Sequence, residues 1–304
     1  MRVVTSGSAY LDIDAYACCI AYAELLNCLG VAARAVSSAP LNASIPLRLK
    51  INGDSLDDYL PKATDEFVLV DVSDYHHFDP LVVLDQVVEV IDHHPGYERY
   101  WERRLGSAAD IRPIGACATQ VFQRWESTDL LPKISQQSAA LLATAILDNT
   151  LNFTGQMTNA RDVQAYAVLA RLANLSAGWP EQYFIECQAV VESDLGAALA
   201  ADLKQMKPET QLPQAFAQMT VWDADTLLQK HRSAIHRWMA EQCDDWLLNL
   251  ISIRDRKSCL LAESLVSQHK LSSLLSLHWH TGMAVLEPSM LRKELLKLGL
   301  SVSS

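Results

Sequence analysis

The chain of 304 residues is 50% hydrophobic and carries Lys+Arg 25 against Asp+Glu 36, a formal net charge of −11. At about 150 residues per domain this length predicts two cores. The acidic balance argues against broad binding to nucleic acid or anionic membranes, yet leaves room for a small basic phosphate pocket.

The N-terminal apolar run soon meets Asp12 and Asp14, too early for a signal peptide or a membrane span of about 18 residues or more. Residues 2–6 read as a strand, 15–29 as a helix and 31–37 as a second strand. FVLV at 67–70 and VVEVI at 87–91 are short apolar runs of the kind buried on both faces of a parallel sheet. Residues 115–126, 135–147 and 159–174 have helical spacing, the last with Thr158 as its expected N-cap. Such alternation predicts βαβ units in a doubly wound, mostly parallel sheet.

Beyond Cys187 the pattern changes. A helix is expected over 191–206, a strand over 216–222 and a helix over 224–242. Strands follow at 246–253 and 258–263, joined by a charged turn, then at 274–278 and 284–286, with a final helix from Ser289. The expected organisation is an α/β domain over 1–188, a hinge near 188–194 and a smaller α+β domain over 189–304. The seven cysteines form no C-x-x-C pair. They predict buried thiols in a reducing cytoplasm rather than a disulfide framework or a zinc ribbon.

Three acidic clusters follow predicted strands: Asp12 with Asp14, then Asp71, then Asp92-His93-His94. Open α/β sheets bind ligands beyond the carboxyl ends of their strands, so the three can converge on one point. Singly each has a plainer role. Asp12 and Asp14 suit a helix cap, Asp71 a strand-end turn, and paired histidines recur by chance, as at His76-His77. Jointly they suit Mn²⁺, Mg²⁺ or Co²⁺, because carboxylates with imidazoles favour hard or borderline cations.

D-H-H after a buried strand resembles the signature of the DHH phosphoesterase superfamily. Asp12-Ile13-Asp14 is similar to its first motif and Asp71 to its second. The segment from Pro113 to Thr119 resembles the P-[VI]-G-x-x-A-T of family II inorganic pyrophosphatases. Ala145-Ile146-Leu147-Asp148-Asn149-Thr150 resembles their A-I-L-x-D-T. Asp202-Leu203-Lys204 and Arg292-Lys293 are similar to the D-Y-K and R-K stretches of a C-terminal domain shared with prune-type exopolyphosphatases.

The resemblance implies a divalent-metal phosphohydrolase cleaving phosphoanhydride bonds in a small phosphate compound, with the site between the two domains. It implies one or two ions, with Asp12 and Asp71 on one, and Asp14, Asp71, His93 and Asn149 on the other. It also implies His94, Lys204, Arg292 and Lys293 on the phosphates, with His94 and Asp71 in the catalytic roles. A homodimer stays open. Ser8 stands where pyrophosphatases have a ligand His, and Asn149 where they have Asp. A weakened phosphate- or nucleotide-binding regulator therefore stands as the alternative. Oligonucleotide cleavage is disfavoured by the acidic charge and the lack of a G-G-G-H stretch.

Overall fold

The structure is a computed structural model that describes residues 1–50, 56, 58–207 and 211–301, apart from the side chains of 293, 300 and 301. Its contacts divide into two units, Met1–Pro180 and Glu181–Ser304.

In the first unit the strands are β1 (Arg2–Thr5), β2 (Ala33–Ala35), β3 (Glu66–Val70), β4 (Val87–Asp92) and β5 (Ala109–Ile111). They form one sheet of order β2-β1-β3-β4-β5, and every pairing is parallel. Val3, Val4 and the whole of FVLV are buried, as a sheet covered on both faces demands. The chain leaves β1 toward β2 and returns to the other side of β1 at β3, so the switch point lies between the ends of β1 and β3. That crevice is where such sheets bind ligands.

The helices are α1 (Ile13–Cys28), α2 (Glu98–Leu105), α3 (Cys117–Ser127), α4 (Gln136–Asn149), α5 (Ala160–Leu172) and α6 (Trp179–Ser193), the last running on past Pro180. Asp12 caps α1 by accepting a hydrogen bond from the Ala15 N–H. The helix is apolar around most of its circumference because α3 and α4 cover what the sheet does not. Phe67, Leu69, Val90 and Trp101 anchor the core beneath β3 and β4.

The second unit continues with α7 (Leu195–Ala201), β6 (Lys204–Gln205), β7 (Ala215–Val221), α8 (Ala224–Gln242) and β8 (Trp246–Ser252). It ends with β9 (Lys257–Leu261), α9 (Leu265–Leu274), β10 (Met283–Leu286) and α10 (Arg292–Ser301). Its sheet runs β10-β9-β8-β7-β6, parallel only between β7 and β8. Phe216, Leu247, Leu260, Leu271 and Leu295 pack as its core.

Several local expectations are corrected. The N-cap of α5 is Asn159, not Thr158, and it closes a capping box with Asp162. Residues 191–206 are not one helix: α6 stops at Ser193, Asp194 caps α7 through the Ala197 N–H, and β6 begins at Lys204. The expected strand at 274–278 is absent, because Ser264 caps α9 and that helix runs to Leu274. Helix α2 had no counterpart in the sequence reading, since Trp101 is its one buried residue. All seven cysteines are free, five of them buried.

Candidate metal centre

Asp14 lies in the first turn of α1 with no exposure. Its Oδ2 accepts the Cys117 N–H at 2.9 Å and its Oδ1 the Ala118 N–H at 2.8 Å, with the Cys18 thiol at 3.5 Å. These two N–H groups open α3, the positive end of its dipole. Burial nevertheless dominates and pushes the Asp14 carboxyl up to about 8. The charge of Asp71 adds to the rise, while His93 and the Ala118 N–H work against it.

Asp71 is the residue after β3 and adopts φ 58°, a left-handed conformation that Asp and Asn enter more readily than most residues. Its N–H donates to the Ile91 carbonyl at 2.9 Å, which fixes it beside the end of β4. There Asp92, fully buried, accepts three bonds on Oδ1: from the His93 N–H at 2.7 Å, the His94 N–H at 3.1 Å and His94 Nδ1 at 2.9 Å. Burial is the largest single influence on Asp92 and pushes it up, but the bond and charge of His94 prevail and hold it low. Burial likewise opposes protonation of His94, yet the Asp92 bond lifts its pKa above the ordinary value.

His93 Nδ1 faces the Ile114 carbonyl at 3.0 Å. A carbonyl only accepts, so Nδ1 carries the proton and Nε2 presents its lone pair. That Nε2 lies 3.3 Å from Asp71 Oδ1 and 4.0 Å from Asp14 Oδ2, buried and, among the described residues, without a hydrogen-bond partner. Asp71, His93 and His94 each offer a ligand atom, all within 4.8 Å of one another. An oriented imidazole lone pair beside two buried carboxylates fits a divalent cation.

The motif around Gly115 supplies this geometry. A Cβ there would lie 2.5 Å from Asp162 Oδ2 and 2.8 Å from Thr150 Cγ2. Asp162 is fully buried and accepts from the Gly115 N–H, the Asn159 N–H and the Thr119 hydroxyl. The segment is thereby held so that Ile114 meets His93 while Cys117 and Ala118 meet Asp14.

The remaining expected residues stand differently. Asp12 caps α1 and is not part of the trio. Asn149 ends α4, half-buried and, among the described residues, without a side-chain hydrogen bond. Ser8 is pinned by its N–H on the His77 carbonyl at 2.9 Å. In the second unit Arg292 is nearly buried and pairs with Asp202 Oδ1 at 2.6 Å, while its Nη1 donates to the Asp202 carbonyl at 2.7 Å. Lys204 is exposed at the start of β6. The side chain of Lys293 lies outside the described residues. Asp162, Asp202 and the backbone groups of Ile114, Cys117 and Ala118 had no assigned role in the sequence reading. The glycine at 115, in a segment resembling a known motif, was the available signal for the last three.

Fold and centre together define a two-unit α/β protein resembling the DHH phosphoesterase superfamily. No family model matches the chain. A probable manganese-dependent inorganic pyrophosphatase of Bacillus pumilus is 30% identical over 188 residues, 61% of this chain and 59% of the relative. One of the same description from Bacillus cytotoxicus is 27% identical over 197 residues, 61% of this chain and 58% of that protein. The match therefore spans under two thirds of these relatives. Among solved structures, a Methanococcus jannaschii protein described as a family II inorganic pyrophosphatase superposes with TM-score 0.69 at 18% identity, covering 100% of this chain and 99% of that one. An exopolyphosphatase-related protein from Bacteroides fragilis gives TM-score 0.54 at 13% identity, covering 99% and 92%. At these identities the structural likeness is one of fold, and it bears out the expected class. Among the described residues no helix is long and apolar enough to cross a membrane.

Proposed function

We propose that this protein is a divalent-metal-dependent phosphohydrolase that cleaves phosphoanhydride bonds in pyrophosphate, short polyphosphate or a related small phosphate compound. The observation that carries the reading is the trio Asp71, His93 and His94 at two adjacent strand ends, backed by buried Asp14. Asp71, His93 and Asp14 would hold Mn²⁺, or Mg²⁺ or Co²⁺ in its place, with Asp12 and Asn149 as further ligands by the resemblance. A bound divalent ion supplies Lewis acidity and an acidified water at neutral pH.

The chain's own residues do the positioning. Ile114 fixes the His93 tautomer, and Asp92 orients His94 and favours its protonated form. The His94 side chain is 54% exposed, so it is open to donate to a phosphoryl oxygen. Lys204, Arg292 and Lys293 are proposed to neutralise phosphate charge, Arg with a planar fork and Lys as a point charge.

Phosphate release from pyrophosphate and tripolyphosphate with Mn²⁺, Co²⁺ or Mg²⁺ tests the reading. No turnover of either by metal-replete protein would remove it. A second reading, a phosphate-binding regulator with little catalysis, is favoured by Ser8 and Asn149, two positions without the ligand expected from the resemblance. It expects polyphosphate to raise the melting temperature while no phosphate is released.

A further inference from the structure

Close in sequence to Asp71 and His94 lies an aromatic group that the hydrolysis of inorganic pyrophosphate would not use. Tyr75 follows Asp71 by four residues and Tyr97 follows His94 by three. The Tyr75 ring meets Tyr97 edge-on at 5.5 Å, Tyr100 at 5.1 Å and His76 at 4.2 Å. Below them Tyr100 packs on Trp101 at 5.0 Å and Phe78 stacks on it at 5.9 Å. Trp101 is fully buried and donates its indole N–H to the Ser73 carbonyl at 2.7 Å. The upper rings are therefore seated on the core, while Tyr75 remains 36% exposed.

Polar ties join this group to both strand-end loops. Asp74 accepts from the His76 N–H at 3.0 Å. The Ser8 N–H reaches the His77 carbonyl at 2.9 Å. The chain from Asp71 to Tyr75 can span at most about 14 Å, and that from His94 to Tyr97 about 11 Å. The rings thus ride within a short reach of Asp71 and His94, the residues proposed for the metal and the phosphate.

Resting on the hydrolase reading, we infer that the substrate is a nucleoside phosphate, with its phosphate at His94 beside the metal proposed for Asp71 and His93, and its base stacked on the exposed ring of Tyr75. Inorganic pyrophosphate has no apolar surface for such a platform, and the negative face of an aromatic ring repels an anion. A nucleobase has a π-face, and stacking on a protein aromatic is a common and sequence-tolerant way to bind one. His76 and His77 at the rim offer hydrogen bonds to the base edge or the ribose.

The test is calorimetric titration of the full-length protein, with Mg²⁺ present, using adenosine 5′-monophosphate and ribose 5-phosphate as probes. The nucleotide is expected to bind roughly tenfold more tightly than the sugar phosphate. Tyr75→Phe should keep that ratio and Tyr75→Ala should bring it close to one, both checked for an unchanged melting profile. Equal affinities in the wild type, no binding of either probe, or an undiminished ratio in a folded Tyr75→Ala variant would overturn the inference. A preference for the nucleotide without turnover of pyrophosphate, tripolyphosphate or a nucleoside diphosphate would sink the hydrolase reading and leave the stacking assignment standing.

Discussion

The Gly115 N–H donates to Asp162 Oδ2 at 3.2 Å across a gap that leaves no room for a Cβ. The bond joins the loop before α3 to the first turn of α5, and the backbone groups on either side of Gly115 contact His93 and Asp14. Gly115→Ala should therefore act in two ways. Overpacking against a buried carboxylate should cost about 1–3 kcal/mol of stability, read by urea denaturation. Displacing the Ile114 carbonyl should also weaken Mn²⁺ binding, read by calorimetry. A variant with wild-type metal affinity would separate the loop from the centre.

Asp71→Asn tests the central carboxylate with little disturbance of the backbone, because Asn also tolerates the left-handed conformation seen at φ 58°. It should abolish Mn²⁺ binding and turnover while changing folding stability by no more than about 1 kcal/mol. Asp71→Val should lose both properties and cost about 1–3 kcal/mol in addition, since a branched side chain is strained there. Wild-type turnover in Asp71→Asn would reduce the residue to a strand-end turn.

Asp14 sets a pH dependence for the metal-free protein. Its carboxyl titrates near 8 when folded, against an ordinary 3.8. Between those values the folded state holds a proton that the unfolded state has released. Stability should fall as pH rises through that window and level off above about 8. Urea midpoints of chelator-treated protein measured from about pH 5 to about pH 8 read this slope, and Asp14→Asn should flatten it. Mn²⁺ competes with the same proton, so its apparent affinity should rise over the same range.

Ser8 and Asn149 predict a gain. If they mark positions that face the metal, Ser8→His and Asn149→Asp should each tighten Mn²⁺ binding, by roughly tenfold where the new ligand finds an orienting partner. The double variant should gain pyrophosphate hydrolysis. Unchanged calorimetric affinity in both single variants would mean that neither position faces the metal and that matching Ser8 and Asn149 to the ligand positions of the pyrophosphatases is wrong.

What was readable in the sequence follows from what writes itself into residue types. A parallel strand buried on both faces leaves an apolar run such as FVLV, and the candidate side chain follows at once, so Asp71 and His93-His94 stood out. The sequence has no letter for a backbone group, so the Ile114 carbonyl and the Cys117 and Ala118 N–H groups were invisible beyond the glycine that admits them. Asp92 was seen as part of a metal cluster, and its Oδ1 is occupied in bracing the two histidines. The run 191–206 kept helical spacing across Asp194, whose side chain caps a new helix. Local caps decide such breaks, and periodicity does not record them.

Ala116, the N-cap residue of α3, makes no side-chain capping bond. The first N–H groups of that helix are satisfied by Asp14, 103 and 104 positions earlier. The start of α3 is thus completed by tertiary contact rather than by its own sequence. A fragment carrying α3 without α1 should fray at its first turn, and in the intact chain α3 should become fully ordered only after β1 and α1 have docked. A mutation at Asp14 would then slow the assembly of an element far away in the chain, as well as weaken the centre itself.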